Sequence, residues 1–310
     1  MHFLPTTDQL ELQHGVRGLL ADRFPLDRLS LAAAPAEPGR SGFDPTLWQA
    51  LTDTGVFGLR HDLGLGMAEA TLVFEELGRA CVPGPLVATF LAAGRTDGPV
   101  ALAEAGQTPL LVAHLDIADA VLVLGDDVQL AAVPGGTPVA EPVDPLSPLT
   151  ELAAAPVGVA LTDLDVRRTY LDGAVLTAAL QVGLAARLTQ LSVTYAGERE
   201  QFGRSIGGFQ AVKHMCADMF VRTELARVAV HAAAVTLDDA EAHDAPRFVA
   251  GAKLLADEAA VTNGRAAVQV HGGMGFTWEV PVHYFLKRAW LHATEFGSAD
   301  DHAEALADLL

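Results

Sequence analysis

Cations are scarce in this chain. Its 310 residues carry 20 Lys plus Arg against 39 Asp plus Glu, a formal charge of −19 at pH 7. No broad basic surface can be assembled from so few, which argues against nucleic acid or an anionic membrane as the main partner. An anionic ligand would have to be met by a local site. Cysteine is scarcer still: Cys81 and Cys216 each sit in an apolar helical pattern and read as buried reduced thiols of a cytoplasmic protein, not as a disulfide. The opening MHFLPTTDQLELQHG lacks a basic region followed by an apolar core, so it does not read as a signal peptide. The most apolar helical run, 174 to 186, is interrupted by Thr177 and Gln181 and is too short to span a bilayer. The histidines, among them His114, His214, His271, His283 and His292, form no HxxxH pair and there is no CxxC, so no metal site is expected. Ser192 and Ser205 lack the His and Asp pattern of nucleophilic catalysis.

What is present is apolar and mostly helical. Half of the residues are hydrophobic, enough for a large interior in two or three domains. Residues 7 to 24 show helical spacing with Thr7 or Asp8 as cap, and a break at Pro25 follows. A Pro/Gly/Ser-rich loop covers 34 to 44. FDPTLWQALTDTG, 43 to 55, reads as a helix with Pro45 in its first turn and Gly55 as its stop, and MAEATLVFEELGRA, 67 to 80, as another. Two more short helices are expected between Pro85 and Gly106. From Thr108, short apolar runs separated by Gly, Pro and Asp (PLLVAHLD, AVLVLGDDVQLAAV, PVGVALTDLDV) give strand-and-turn chemistry. Helical patterns return at about 170 to 196, 205 to 239, 245 to 271 and 279 to 293, with close connections that suggest an antiparallel bundle. The fold class expected is mainly α with a small β domain: an N-terminal helical domain over 1–107, a middle β domain over 108–168 and a C-terminal four-helix bundle over 169–310.

Within this acidic chain, GEREQFGRSIGGFQAVKH (197 to 214) gathers Arg199, Arg204, Lys213 and His214 beside four glycines and Gln210. Ile206, Phe209, Val212, Cys216 and Met219 or Phe220 recur at helical spacing, predicting a helix from about Ser205 that buries that stripe. Gln210 and His214 then share another face, and Phe202-Gly203 reads as a turn. A guanidinium and an amide beside a helix start suit a pyrophosphate or similar anion. A solvated helix start with stray cations accounts for the same residues.

EREQFGRSIGGFQAVKHMCADM resembles the flavin-contacting helix start of the acyl-CoA dehydrogenase flavoproteins, and QVHGGMGFTWEVPVHYFLKRA (269 to 289) resembles their second signature. FDPTLWQALTDTGVFGL and FEELGRACVPGPL resemble their N-terminal helices. The resemblance implies FAD as cofactor. Arg199 would meet the FAD pyrophosphate, with Gln210 in the same site, Gln201 beside it and Phe202 packed near the cofactor. Gln269, Val270, His271, Gly272 and Gly273 would approach the adenosine half with their backbone, and these contacts would run in trans to the FAD of a neighbouring subunit. From the residues alone, Gly272-Gly273 is equally a helix cap, and it is no Rossmann fingerprint, because no strand precedes it. Phe276, Trp278 and Tyr284 read as bundle core.

The family's chemistry is α,β-dehydrogenation of an acyl thioester, which needs a carboxylate to take the α-proton. The two positions that supply it in the family fall here on Gly173 and Phe296, and neither can take a proton. Glu295 and Asp172 stand next to them; either could be a surface carboxylate, and Glu295 is the better candidate base. The middle segment that would embrace the flavin ring has no counterpart between Leu110 and Leu164. The resemblance therefore implies the reduced subunit of a heteromeric (α2β2) acyl-CoA dehydrogenase, of the kind that acts on steroid side-chain thioesters in actinobacteria. Such a subunit completes the FAD site of a longer homologous subunit, which binds most of the acyl-CoA; the electron acceptor stays open. A self-sufficient homo-oligomer using Glu295, and a flavin-free scaffold, are the alternatives.

Overall fold

The computed structural model describes residues 3–33 and 42–308, so most of the loop expected at 34–44 lies outside the described residues. The N-terminal part is helical: α1 (Thr7–Arg23), α2 (Leu26–Ala32), α3 (Pro45–Asp53), α4 (Met67–Ala80) and α5 (Leu86–Leu91). Thr6, not Thr7 or Asp8, caps α1, its hydroxyl accepting from Gln9 N while Gln9 Oε1 accepts from Thr6 N; both otherwise orphaned amides are satisfied. The break at Pro25 is the flank of α2, an additional helix that Pro25 precedes with φ −63°. Only one helix, α5, forms between Pro85 and Gly106. In place of the second expected there stands a strand, β1 (Val100–Glu104), whose Val100, Ala101 and Ala103 are fully buried. A five-residue apolar run carries no period of its own, and pairing with a neighbouring strand decides it.

The β region continues as β2 (Leu110–Ala113), β3 (Ala120–Leu124), β4 (Val128–Ala131), β5 (Thr137–Pro138), β6 (Leu149–Leu152) and β7 (Val159–Ala160). Two sheets form, ordered β1-β3-β4-β7 and β2-β6-β5, with β1 parallel to β3 and the other pairs antiparallel. Ala101, Ala103, Val112, Val121 and Leu152 make a small core of their own.

The bundle is α6 (Val166–Glu198), α7 (Gln210–Asp238), α8 (Ala245–His271) and the shorter α9 (Val282–His292), followed by α10 (Ala299–Ala307). α6 is long and apolar enough to cross a bilayer, but 83% of its most apolar window is buried inside the molecule, the condition of a core helix. α7 starts at Gln210 and not near Ser205. Ahead of it, β8 (Glu200–Gln201) and β9 (Arg204–Ser205) pair as a small hairpin around Phe202-Gly203, and 206–208 form a 3-10 turn. One buried polar cluster sets the register of the three long helices: Asn263 Nδ2 donates to Thr223 Oγ1, Thr189 Oγ1 and Met219 O. The end of α6 and the end of α8 lie about eight or nine residues from this level and the start of α7 about nine to thirteen, so all three emerge at one end of the bundle.

Candidate functional site

Antiparallel packing thus brings the two signature segments together. Arg199 caps α6, its N–H donating to Tyr195 O, and Tyr195 stacks on His271 at the end of α8 with ring centroids 4.2 Å apart. His271 is buried and its Nδ1 lies 2.8 Å from Ala267 O; burial lowers its pKa, leaving a neutral ring. Phe202, at φ +53°, projects with 93% of its surface exposed. Arg204 lies over the Phe209 ring, 4.1 Å from the centroid. Arg199 makes no side-chain hydrogen bond or ion pair among the described residues. Gln210 and His214 share a face as expected, 3.4 Å apart and exposed. Gln269 is exposed and Val270 buried. Gly272 takes φ +59°, and a Cβ on Gly272 or Gly273 would meet nothing within 4 Å, so both backbone groups are open to approach. Phe276 and Trp278 are 81% and 63% exposed, not core; only Tyr284 of that trio is buried. The sequence shows no polar pattern requiring the first two to face out.

A second site lies between the sheets and the bundle: a cavity of about 410 Å³ with Glu104, Gln107, His114, His292, Glu295 and Phe296 in its lining. Gly173 and Phe296, 123 residues apart, meet at its edge. A Cβ added to Gly173 would run into the Phe296 ring, and that ring is fully buried, edge-on to Tyr170. The segment after α9 is fastened from several sides. Phe296 N donates to Glu104 Oε1 (3.0 Å), the His302 ring nitrogen meets Phe296 O (2.9 Å), and Lys253 donates to the His292 and Gly297 carbonyls. Lys253 is itself fully buried and paired with Asp257 at 2.6 Å, whose other oxygen accepts from Gln181.

Glu295 enters this cavity next to Phe296, with its Oε2 2.7 Å from His292 Nδ1. Burial would raise its pKa, but His292, Lys253 and Arg288 together hold it below the usual carboxylate range, which makes it a weak proton acceptor near neutral pH. Asp172 is no surface carboxylate: it is 2% exposed and bridged by Arg60 and Arg168. Glu104 was not singled out in the sequence. Burial first, then the neighbouring Glu295 charge, push its pKa up to about 7 against the Phe296 amide, Lys253 and Gln107. Its one sequence signal is a carboxylate closing the otherwise apolar run VALAE. Both cysteines are free, Cys81 buried and Cys216 partly so. No group of three or more His, Cys, Asp or Glu is placed to hold a metal among the described residues.

A helical N-terminal part, a small β region and a helical bundle together are the acyl-CoA dehydrogenase architecture, and sequence comparison agrees. Residues 164–310 match the acyl-CoA dehydrogenase C-terminal domain. The chain is 35% identical to the acyl-CoA dehydrogenase IpdE2 of Mycolicibacterium smegmatis, over 83% of this chain and 86% of that protein. It is 38% identical to IpdE2 of Mycobacterium tuberculosis, over 80% and 81%. It belongs to the acyl-CoA dehydrogenase family. Among solved structures, the ChsE4-ChsE5 complex from Mycobacterium tuberculosis superposes with a TM-score of 0.81 at 24% identity, covering 99% of this chain and 98% of the other. A steroid ACAD, Tcur3481-Tcur3483, gives 0.80 at 24%, covering 97% of each.

FAD is the cofactor that this membership brings. The bundle end has the chemistry to suit it: an unpaired guanidinium at Arg199, an amide at Gln210, an exposed aromatic at Phe202, and approachable backbone at Gly272 and Gly273. The cavity does not suit a pyrophosphate, because its lining offers the carboxyls of Glu104 and Glu295 and no lysine or arginine.

Proposed function

We propose that the chain is the FAD-completing subunit of a heteromeric acyl-CoA dehydrogenase, acting in the cytoplasm on the α,β-dehydrogenation of an acyl-CoA thioester, with a longer homologous subunit as partner. The carrying observation is the meeting of Gly173 and Phe296. The one has no side chain, the other fills the space with a fully buried ring, and a carboxylate at either place would need the ring to leave. The α-proton then goes to a carboxylate of the partner. FAD, when bound, accepts the hydride that leaves the β-carbon. Arg199 and Gln210 of this chain grip the pyrophosphate of the partner's FAD, Gln201 and Phe202 flank it, and the backbone from Gln269 to Gly273 receives the adenosine half. Exposure of Phe202, Gln210 and Gly272-Gly273 on one end of the bundle supports a contact made across a subunit boundary. The heteromeric neighbour ChsE4-ChsE5 and the steroid ACAD support, by analogy of fold, a two-chain enzyme and a sterol-derived acyl group.

The test is flavin content. Expressed alone the chain is expected to be colourless; co-expressed with a longer homologue it yields a yellow complex. In that complex Arg199→Ala lowers flavin retention by about 1.5 to 3 kcal/mol, the worth of a charge-assisted bond, or roughly 10- to 150-fold in Kd. A yellow, active homo-oligomer of this chain alone overturns the proposal in favour of Glu295 as base. Unchanged flavin content in the variant favours a scaffold.

A further inference from the structure

Where α1, α4 and α6 meet, a pocket of about 220 Å³ shares no residue with the cavity beside Phe296. Leu20, Phe24 and Leu26 form its apolar side, and Arg17, Arg79 and Arg187 contribute cations. Three guanidiniums around one pocket are unexpected in a chain with only 20 Lys plus Arg. Arg17 is matched: its Nε and Nη2 donate to the two oxygens of buried Glu76, at 2.8 and 2.6 Å. Glu75, next along α4, is held by Arg227 of α7. Arg79 and Arg187 have no such match. Both are half-buried, and among the described residues neither has a carboxylate within 4 Å. Arg79 Nη2 and Arg187 Nη1 instead donate to one neutral acceptor, Gln190 Oε1, at 2.6 and 2.9 Å. Burial depresses the pKa of both; for Arg187 the Arg79 charge adds to it, while Glu76 offsets part of it for Arg79. A guanidinium keeps its proton in a protein, so two like charges converge on a single amide oxygen.

The class of occupant follows from charge and volume. Two forks of N–H donors around one point match the several oxygens of a phosphate. Sites for drug-sized ligands run to about 300–1,000 Å³, so 220 Å³ leaves room for a small group only. We propose that this pocket binds a small oxyanion, inorganic phosphate or a short-chain phosphomonoester, between Arg79 and Arg187. The apolar side takes the carbon substituent, and Gln190 turns its amide N–H₂ toward the same anion. The inference does not rest on the flavin reading, although Arg187 and Gln190 also edge the depression that Tyr195 and His271 line.

The test is scanning and titration calorimetry of the full chain, and of its complex with the longer subunit where the two co-purify. Inorganic phosphate is the probe, with ionic strength held constant by chloride. Phosphate is expected to bind once per chain and to raise Tm by a saturable amount that follows mass action. Arg187→Gln weakens it roughly 10- to 150-fold, the worth of a charge-assisted bond. Arg247→Gln, the same change of charge at the exposed start of α8, leaves it unaltered. Gln190→Glu sets a carboxylate of the same shape between the two guanidiniums. That variant is expected to melt higher in phosphate-free buffer and to bind no phosphate. An absence of saturable binding, undiminished binding in Gln190→Glu, or a rise in Tm without saturation that all variants share overturns the proposal, the last because it marks exclusion of phosphate from the surface. Binding by the isolated chain that vanishes in the complex overturns it too, since a carboxylate of the partner then fills the place. If Arg187→Gln fails to fold, Gln190→Glu decides.

Discussion

Glu104 and Glu295 line one cavity, yet their surroundings drive them in opposite directions. Glu295 has His292 against it and stays ionised; Glu104 faces that ionised neighbour across a poorly solvated space and keeps its proton up to about pH 7. The consequence for stability has a definite sign. Between the unfolded value of about 4.3 and about 7, the folded chain binds the Glu104 proton and the unfolded chain does not, so stability falls as pH rises through that window and levels off above it. Glu104→Gln keeps an oxygen for the Phe296 amide and does not titrate. The melting temperature of the variant relative to the unaltered chain is therefore expected to rise from pH 5 to pH 8, as scanning calorimetry at several pH values would show. A difference that stays flat across the range would mean that the carboxyl titrates normally. Other buried groups, His114 among them, titrate in both chains and cancel from the comparison.

At the scale of elements, the contact between α4 and α6 depends on two glycines. A Cβ on Gly78 would collide with the Leu180 carbonyl, and one on Gly183 with the Glu75 carbonyl, so the two backbones touch directly and neither can yield locally. Gly78→Ala is expected to destabilise by about 1 to 3 kcal/mol, the usual cost of overpacking. Gly15→Ala, on the exposed face of α1 with nothing within 4 Å, should stabilise by up to about 1 kcal/mol. Urea denaturation of both variants checks the pair, and two shifts of the same sign would contradict the packing argument. This also marks what was legible beforehand. The long helices announced themselves because their apolar period repeats many times, as in 245 to 271. β1, β5 and β6 did not, since a strand of two to five residues exists only through partners far along the chain: Leu110 pairs with Leu152 across a gap that no local pattern bridges. The bundle-end site was readable because its residues are contiguous in two segments. The counted positions Gly173 and Phe296 proved to be neighbours. Glu104 and His114, by contrast, gain their character only from residues brought in by folding.

For the whole molecule, a charge of −19 opposes association between copies of this chain, while α7 turns apolar side chains outward. Phe220, Val221, Leu225 and Val228 are each more than half exposed, spaced along one side of the helix, with Phe248 of α8 also exposed. Val221 and Leu225, one turn apart, belong to the same helix whose first turn carries Gln210. A contiguous exposed apolar stripe of this kind marks a surface that is covered in the working assembly, and under the proposed function the cover is the longer subunit whose FAD the bundle end meets. Replacing both Val221 and Leu225 by Glu removes apolar contact and adds two negative charges to the stripe. Because both side chains stand in solvent in the isolated chain, its melting temperature should change by no more than a degree or two, surface substitutions falling within about 0.5 kcal/mol. Co-purification with the longer subunit should be lost, and the flavin recovered with the pair should fall with it. Retention of a full yellow complex by the double variant would place the subunit contact elsewhere and leave the bundle end to make it alone.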